Sequence, residues 1–243
     1  MASTTWTPQQ KALAKRIKKD VCKRLGGYRL EHVLGVAKTA KRLARLYGID
    51  DFEAYVAGLL HDWDKALSND ELLEKCLQYN ISLPDDPNRV MALLHAWTAA
   101  FSLLEDYPEL DDAVFRAIAH HTTGAAKMHD LDMVLYIADA IEPSRKNQPW
   151  LDETRPLVGK VALEELYIRC YVAPIEHLVA NRRYIYPRAI EIYNTLIDLE
   201  MKTQPVKFKK KADKSDQKKA GTGKTKKPKI ADAKKKLKDR KKR

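Results

Sequence analysis

The amino-acid sequence predicts an all-α fold. From Pro8 to Met201, apolar residues recur mostly at three-to-four spacing, which is the period of a helix that buries one face. Strict alternation of apolar and polar residues, the pattern of a half-buried strand, is rare in the same span. Residues that cap helices punctuate the pattern, so we expect the chain to form a bundle of helices.

The helix boundaries follow from this period and from local start and stop signals. Gly48 follows a helix as a C-terminal cap does, Ser68 can cap a helix that begins with acidic residues, and Pro187 suits a first helical turn. Residues 81–87, with two prolines and two aspartates, can form only a loop. The predicted helices cover residues 8–25, 30–47, 51–63, 69–79, 88–104, 111–120, 130–141, 151–183 and 187–201.

The positive charge of the chain is concentrated at its C-terminal end. Residues 202–243 hold 20 Lys and Arg against 4 Asp, a net charge of +16, whereas residues 1–201 hold 25 basic and 29 acidic residues, a net charge of −4. The basic segment has few large apolar residues, so we expect a disordered tail at 202–243 and a folded domain at 1–201. Counterion release gives such a tail non-specific affinity for RNA, DNA or the ribosome; a solubilising extension is the alternative.

Cysteine usage and the absence of a long apolar segment favour a cytoplasmic protein. Cys22, Cys76 and Cys170 are odd in number and far apart, so they predict neither a disulfide framework nor a C-x-x-C metal clip. The first residues lack a secretory signal pattern, and no stretch approaches the roughly 18 apolar residues that a membrane span needs. We therefore expect no membrane anchor.

Several of the seven histidines lie in helices otherwise made of apolar and small residues. A single histidine on such a face is more often a core residue that is hydrogen-bonded to a neighbour. Histidines on four separate helices, together with carboxylates, instead favour a metal site built from facing helices. The candidates are His32, His61, Asp62, His95, the pair His120 and His121, and Asp139.

The donor types narrow the metal and the chemistry. Imidazole nitrogen and carboxylate oxygen without thiolate favour iron, manganese or zinc over a structural zinc cage. Mixed sites of this kind often keep a position open for water or substrate, and an open position lowers the pKa of bound water. Hydrolysis is the reaction that such a site predicts.

Six motifs follow one another along the chain: RLEHVLGVAKTA (29–40), AGLLHDWDK (57–65), LLHA (93–96), AIAHHTTG (117–124), LYIADAIEPSR (135–145) and YIYPRAIEIYN (184–194). In this order they resemble the HD-domain metal-dependent phosphohydrolases, and most closely the YqeK-type symmetrical diadenosine tetraphosphatases. The resemblance spans roughly Arg29 to Ile197, and although a lone H-D pair is weak evidence, the ordered set is strong.

The resemblance implies a single HD-domain helical bundle that cleaves a dinucleoside polyphosphate, diadenosine tetraphosphate, symmetrically to two ADP. It implies a divalent or mixed-valence metal, iron before manganese or zinc, as one or two ions. His121 matches the family's H-T-T-G, which leaves His120 as a helix neighbour. The implied closest ligands are His32, His61, Asp62 and Asp139, with His95 and His121 completing a second metal position or contacting phosphate.

A tetraphosphate bridge carries several negative charges, so the site needs cations beyond the metal. Arg29 shares a helix face with His32, and Lys65 follows His61 by four residues, which suits the same pocket if that helix continues. Arg145 can bind a phosphate with its guanidinium fork, and the turn that begins at Thr122 offers amides and hydroxyls. The alternative for each cation is a solvated surface charge.

The catalytic candidates are Asp62 and Lys65, and either Asp62 or an imidazole could position the attacking water. We expect Asp64, the second aspartate of D-W-D, to face solvent. The resembled family usually has I-H-P where this chain has Tyr186 in I-Y-P, which implies an altered contact near the nucleotide.

Two other functions remain open from the sequence. One is an HD-domain hydrolase that acts on nucleoside monophosphates or triphosphates. The other is a nucleic-acid-binding protein that acts through its basic tail, although the intact ligand set weighs against it. The oligomeric state, a homodimer included, is also left open.

Overall fold

The computed structural model describes residues 5–83, 85–146 and 148–203, which form helices and turns without a β-strand. The predicted all-α fold is confirmed. The helices are α1 (Pro8–Arg24), α2 (Gly27–Tyr47), α3 (Asp51–Leu60), α4 (Asn69–Gln78), α5 (Pro87–Asp106), α6 (Asp112–His120), α7 (Asp130–Ile141), α8 (Pro149–Thr154), α9 (Leu163–Ala180) and α10 (Pro187–Thr203). The predicted tail lies outside the described residues from position 204 onward.

Helix caps occur where the sequence predicts them. The side chain of Ser68 accepts a hydrogen bond from the amide of Glu71, whose carboxylate in turn accepts one from the Ser68 amide. This capping box satisfies two of the donors that a helix start leaves unpaired. Gly48 ends α2 in the left-handed region, at φ 76°, which glycine adopts without strain.

The predicted single helix over residues 151–183 is wrong. The chain instead forms the short α8, a 3-10 turn at Arg155–Leu157, and then α9 from Leu163. Pro156 lacks the amide hydrogen that a continuing helix needs, and Gly159 adopts φ 76°, which no right-handed helix contains. Pro and Gly therefore interrupt an apolar pattern that by itself suggests continuity.

The centre of the bundle is formed by α2, α3 and α7. A Cβ atom at Gly58 would lie 2.6 Å from the Cα of Ala37, so α2 and α3 approach so closely that only glycine fits there. Every residue of α7 from Leu131 to Ala138 is buried. The ends of these helices therefore meet inside the protein, and that is where the polar residues collect.

The segment after α3 differs from the predicted helix over residues 51–63. The helix ends at Leu60, and the next residues form tight turns in which the amides of Trp63 and Lys65 bond the carbonyls of Leu60 and Asp62, each at 3.0 Å. Lys65 is therefore placed by a turn and not by the face of α3. Among the described helices, none has the length and apolar character required to cross a membrane.

Candidate metal centre

The six predicted ligand side chains meet at the centre of the bundle. They come from α2 (His32), α5 (His95), α7 (Asp139), the end of α3 (His61 and Asp62) and the end of α6 (His121). The four imidazoles and Asp62 have relative exposures of 0–3%, whereas the side chain of Asp139 is 20% exposed. The cluster is therefore buried except on the side of Asp139.

Three of the imidazoles are oriented by the backbone of their own helix. In His61, His95 and His121, the Nδ1 atom lies 2.7–3.0 Å from the carbonyl oxygen three residues earlier. An imidazole that donates its Nδ1 hydrogen to a carbonyl keeps the lone pair on Nε2. All three rings thus present an Nε2 acceptor to the interior, which is the arrangement that metal-binding histidines use.

The fourth imidazole is oriented by a residue to which the sequence patterns assign no role. His32 Nδ1 lies 3.0 Å from Oε1 of Glu142, which is fully buried and also accepts a 2.7 Å bond from the amide of Ser144. A side chain at Gly35 would meet Oε2 of Glu142 at 2.6 Å, so the missing side chain makes room for the carboxylate. Glu142 stands within the I-E-P-S-R motif, but only its contact with His32 reveals its function as an orienting group.

Asp62 lies between the imidazoles and joins them into one cluster. Its Oδ1 is 3.2 Å from Nε2 of His95 and 3.9 Å from Nε2 of His121, while Oδ2 is 3.6 Å from His61 and 3.9 Å from His32. Burial alone would raise the pKa of Asp62, but the surrounding imidazoles hold it well below the usual range. The carboxylate is therefore ionised and able to bridge two positions.

The pKa of His61 and of His121 shifts in the opposite direction to that of His32. Burial lowers the pKa of His61, and burial with the neighbouring imidazoles lowers the pKa of His121 to about 3, so both rings are neutral. Burial also acts to lower the pKa of His32, but hydrogen bonds to Asp139 and Glu142 raise it. Neutral imidazole is the form that binds a metal.

These residues fit a divalent metal ion. Two groups of three residues each offer donor atoms that all lie within 4.8 Å of one another inside the group. One group is His32, His61 and Asp139, and the other is His61, Asp62 and His121. The Nε2 atom of His61 is fully buried and has no hydrogen-bond partner among the described residues. A buried polar atom without a partner is costly, and a metal ion at the centre would satisfy it.

The three predicted cations surround this cluster. Arg29 donates a 2.6 Å bond to Oδ2 of Asp62, and Arg145 donates a 2.6 Å bond to Oδ1 of Asp139. Lys65 Nζ donates a 3.3 Å bond to the carbonyl oxygen of Ala92 and lies 3.2 Å from Nδ1 of His95. Burial lowers the pKa of Lys65. The side chains of Arg29 and Arg145 are 38% and 35% exposed, so both guanidinium groups stand between the carboxylates and solvent.

Arg155, which no sequence motif singles out, holds Arg145 and Glu142 in place. The guanidinium of Arg155 donates to the carbonyl oxygens of Ile141, Glu142 and Arg145 at 2.7–2.9 Å. These carbonyls lie at the last residue of α7 and just after it, where no backbone amide of the helix remains to bond them. Arg155 therefore fixes the turn that carries both the orienting carboxylate and the exposed guanidinium.

Two predicted substrate contacts lie in different surroundings. The hydroxyl of Thr122 is buried without a hydrogen-bond partner among the described residues, directly after His121. Tyr186 packs with Leu94 in a second, smaller apolar cluster. It borders a cavity of 360 Å³ that Thr123 and other residues of the same turn also line. Tyr186 therefore stands beside the turn after α6, outside the group of donor atoms.

The expectation that Asp64 faces solvent is wrong. Its side chain is fully buried and accepts bonds from Lys75 Nζ at 3.0 Å and from Arg24 at 3.2 Å, with the hydroxyl of Ser102 at 3.3 Å. Arg24 also donates to the carbonyl of Trp63 at 2.6 Å. Because the turns after Leu60 rotate Asp64 inward, it anchors the segment that carries His61 and Asp62 to α1, α4 and α5.

His120, the last residue of α6, is held outside the donor cluster. Its Nδ1 lies 3.1 Å from Oδ2 of Asp132, a fully buried carboxylate that also binds Arg116 at 3.2 Å. The pair links α6 to α7 behind the site, so of the two adjacent histidines only His121 reaches the other imidazoles.

The chain is similar to known proteins over the range that holds these residues. The HD domain family matches residues 29–144, a range that contains all six donor residues. The chain is 35% identical over 179 residues to a symmetrical bis(5'-nucleosyl)-tetraphosphatase of Halalkalibacterium halodurans, covering 72% of this chain and 91% of that protein. The chain belongs to this family of HD-domain proteins. A symmetrical bis(5'-nucleosyl)-tetraphosphatase of Bacillus subtilis is 29% identical, over 73% of this chain and 94% of that protein.

A solved structure of the same superfamily agrees with the fold. It is described as a predicted HD superfamily hydrolase involved in NAD metabolism from Clostridium acetobutylicum, and it superposes with a TM-score of 0.71 at 31% identity, covering 80% of this chain and 99% of that one. HD domains depend on a divalent metal, and the two groups of donor atoms in this chain are suited to one.

Proposed function

We propose that this protein hydrolyses dinucleoside tetraphosphates symmetrically, cleaving diadenosine tetraphosphate to two ADP. The observation that carries the proposal is the buried cluster of imidazoles and carboxylates with two partly exposed guanidinium groups at its edge. Clusters of this kind suit metal-assisted hydrolysis of a highly charged substrate. Family membership adds support, because relatives that bear this activity in their names match most of the chain.

The proposed metal is iron, as one or two ions, with manganese and zinc as the alternatives. The supporting observation is a donor set of imidazole nitrogens and carboxylate oxygens without thiolate. The two donor groups share His61, and the carboxylate of Asp62 extends toward both pairs of imidazoles, which suits two neighbouring ions. Metal analysis of protein purified without a chelating column tests this assignment. The proposed ligands are His32, His61, Asp62, His95, His121 and Asp139.

The cations of the site bind and orient the phosphates in this proposal. Arg29 and Arg145 now neutralise Asp62 and Asp139, and a substrate phosphate offers each guanidinium a second partner of the same charge. Lys65 and the hydroxyl of Thr122 lie on the side of His95 and His121, where they can donate to non-bridging oxygens. These groups stabilise the negative charge that grows on the phosphoryl oxygens as the bridge breaks.

The attack itself requires an oriented water molecule. A divalent ion held by the ligands supplies Lewis acidity and lowers the pKa of water at the site. Asp62 accepts a hydrogen bond from that water and directs it to a central phosphorus atom; the imidazole of His95 or His121 can do so instead where its Nε2 does not hold the metal. As the water oxygen bonds to phosphorus, the central bridging P–O bond breaks. One ADP leaves with the bridging oxygen, as an anion that Arg29, Lys65 and Arg145 stabilise, the other ADP carries the water oxygen, and the proton passes to solvent.

Product analysis tests the proposal directly. Purified protein incubated with diadenosine tetraphosphate should yield only ADP, and Asp62→Ala should abolish turnover, whereas Asp198→Ala, an exposed aspartate on α10, should not change it. AMP together with ATP would refute the symmetrical reaction. Turnover of nucleoside mono- or triphosphates in place of the dinucleotide would favour a different HD-domain hydrolase.

A second function is proposed for residues 202–243, the basic tail that the charge distribution assigns. The net charge of +16 on this tail favours non-specific contact with RNA, DNA or the ribosome. Deletion of residues 202–243 should leave hydrolysis intact and remove salt-dependent retention on RNA. A reducing cytoplasm fits the free cysteines Cys22, Cys76 and Cys170, and a homodimer is an arrangement that gel filtration can test.

A further inference from the structure

We propose that Tyr28 forms a stacking subsite for one nucleobase of the substrate, at the open edge of the metal centre. This subsite rests on the proposed function, since it assigns a role to the nucleoside part of a dinucleoside polyphosphate. The ligand class is any purine nucleotide whose phosphates reach Arg29 and Arg145.

The position of the ring carries the proposal. Tyr28 lies in the first turn of α2, one turn before His32, and its ring lies 6.3 Å from the His32 ring, centroid to centroid, with 18° between the planes. Although it adjoins a nearly buried histidine, Tyr28 is 58% exposed. One face of the ring is therefore directed toward the cluster, and the remainder is open to an incoming molecule.

The space around the ring is open as well. A Cβ atom added at Gly26 or at Gly27 would meet no heavy atom within 4 Å, so two glycines leave the approach to Tyr28 clear. The amide end of α2 receives no side-chain cap from Gly26, which leaves first-turn donors directed to the same side. In the described part of the chain, the hydroxyl of Tyr28 makes no hydrogen bond.

Other exposed aromatic rings in the described chain already have partners. Phe101, 45% exposed, is stacked on Tyr79 with 5.5 Å between the ring centroids. Tyr184, 43% exposed, donates a hydrogen bond to Asp85, and the guanidinium of Arg89 lies 5.1 Å from its ring centroid. Tyr28 is thus the exposed ring that both lies at the metal centre and has room for a partner.

The charges beside Tyr28 match the other part of a nucleotide. The guanidinium of Arg145 lies near the imidazole of His32, because it donates to Oδ1 of Asp139, which is 3.1 Å from Nε2 of that ring. Arg29, the next residue in the chain after Tyr28, donates to Oδ2 of Asp62, which is 3.9 Å from Nε2 of His32. Two partly exposed guanidinium groups therefore lie around the imidazole on which Tyr28 stacks. Guanidinium binds phosphate oxygens, and aromatic rings stack on bases of any sequence. A nucleoside diphosphate offers both a base that can stack on Tyr28 and phosphates that the guanidinium groups can bind.

The test measures binding and not turnover, so that its result is independent of the proposed reaction. Calorimetric titration of metal-loaded protein uses two probes, ADP and inorganic pyrophosphate, which differ by the nucleoside. Tyr28→Ala should weaken ADP binding by about five- to twentyfold, because one base stack is lost, while leaving pyrophosphate binding within about twofold of the wild type. Tyr28→Phe should bind ADP like the wild type, because the ring face remains.

The matched control is Tyr184→Ala, which removes another exposed tyrosine and should change neither affinity. Unchanged ADP affinity in Tyr28→Ala overturns the subsite, as does equal weakening of ADP and pyrophosphate, or a wild type that does not bind ADP. If ADP binding depends on Tyr28 but diadenosine tetraphosphate is not hydrolysed, the subsite stands and the proposed function fails. If diadenosine tetraphosphate is hydrolysed but ADP affinity does not depend on Tyr28, the proposed function stands and the subsite fails.

Discussion

Replacing Asp64 with Ala should destabilise the fold, although Asp64 contacts none of the six donor side chains. Its carboxylate is fully buried and accepts hydrogen bonds from Arg24 and Lys75. The substitution leaves two cations without an anionic partner, with side-chain exposures of only 30% for Arg24 and 23% for Lys75. It also removes the link between the turn after α3 and helix α4, whereas Arg24 of α1 keeps its bond to the carbonyl of Trp63.

The magnitude follows from this partial exposure. Breaking a fully buried ion pair by removing one partner costs about 3–5 kcal/mol, because the other charge stays desolvated. Arg24 and Lys75 can rehydrate in part, so we expect a loss at the lower end, about 3 kcal/mol in the free energy of unfolding. For a domain of this size the melting temperature should fall by about 6–12 °C. Asp64→Asn keeps the shape and some hydrogen bonds, so it should cost about 2 kcal/mol.

Urea unfolding and thermal melts, followed by circular dichroism in the presence of a chelator, measure these values without a contribution from metal binding. Asp198→Ala, which removes a charge from an exposed position on α10, is the matched control and should stay within about 0.5 kcal/mol of the wild type. A loss below about 1 kcal/mol for Asp64→Ala would contradict the reasoning. It would mean that the cations find water or other partners as good as the buried carboxylate.

Three further outcomes are expected. Glu142→Gln should weaken metal binding about 10–100-fold in competition with a chelator, because His32 loses the carboxylate that orients it; an unchanged affinity would remove Glu142 from this role. Arg145→Lys should lower kcat/KM for diadenosine tetraphosphate about tenfold, because the guanidinium fork that binds phosphate and stabilises the departing ADP is lost; an unchanged kcat/KM would contradict this role. For Asp132, burial would raise the pKa, but bonds from His120 and other groups lower it below the ordinary value. The stabilisation is therefore complete above the unfolded-state pKa and is lost as the pH falls through the folded-state pKa. The stability difference between the wild type and Asp132→Asn should accordingly be largest near neutral pH and shrink below about pH 4; a difference that grows in acid would show the sign to be wrong.

The sequence by itself determined the helical class, most helix boundaries and the members of the polar cluster. Apolar period and capping residues are local signals, and they report directly on local backbone structure. His32, His61 and Asp139 were identifiable because each interrupts a face that is otherwise apolar. Their meeting follows from that pattern, since helices that bury such faces bring them together in one interior. Their role as ligands stays a prediction.

Only the tertiary structure decided which of the other charged residues are buried and what they hold. Asp64 was placed in solvent because its neighbours in sequence offer no partner, whereas Arg24 lies 40 residues away and Lys75 belongs to another helix. Glu142 and Arg155 were given no role for the same reason, because an orienting group acts through contacts between α2, α7 and the turn that follows α8. Local sequence encodes the backbone and the sidedness of a helix, but the partner of a buried charge is chosen by how the helices pack.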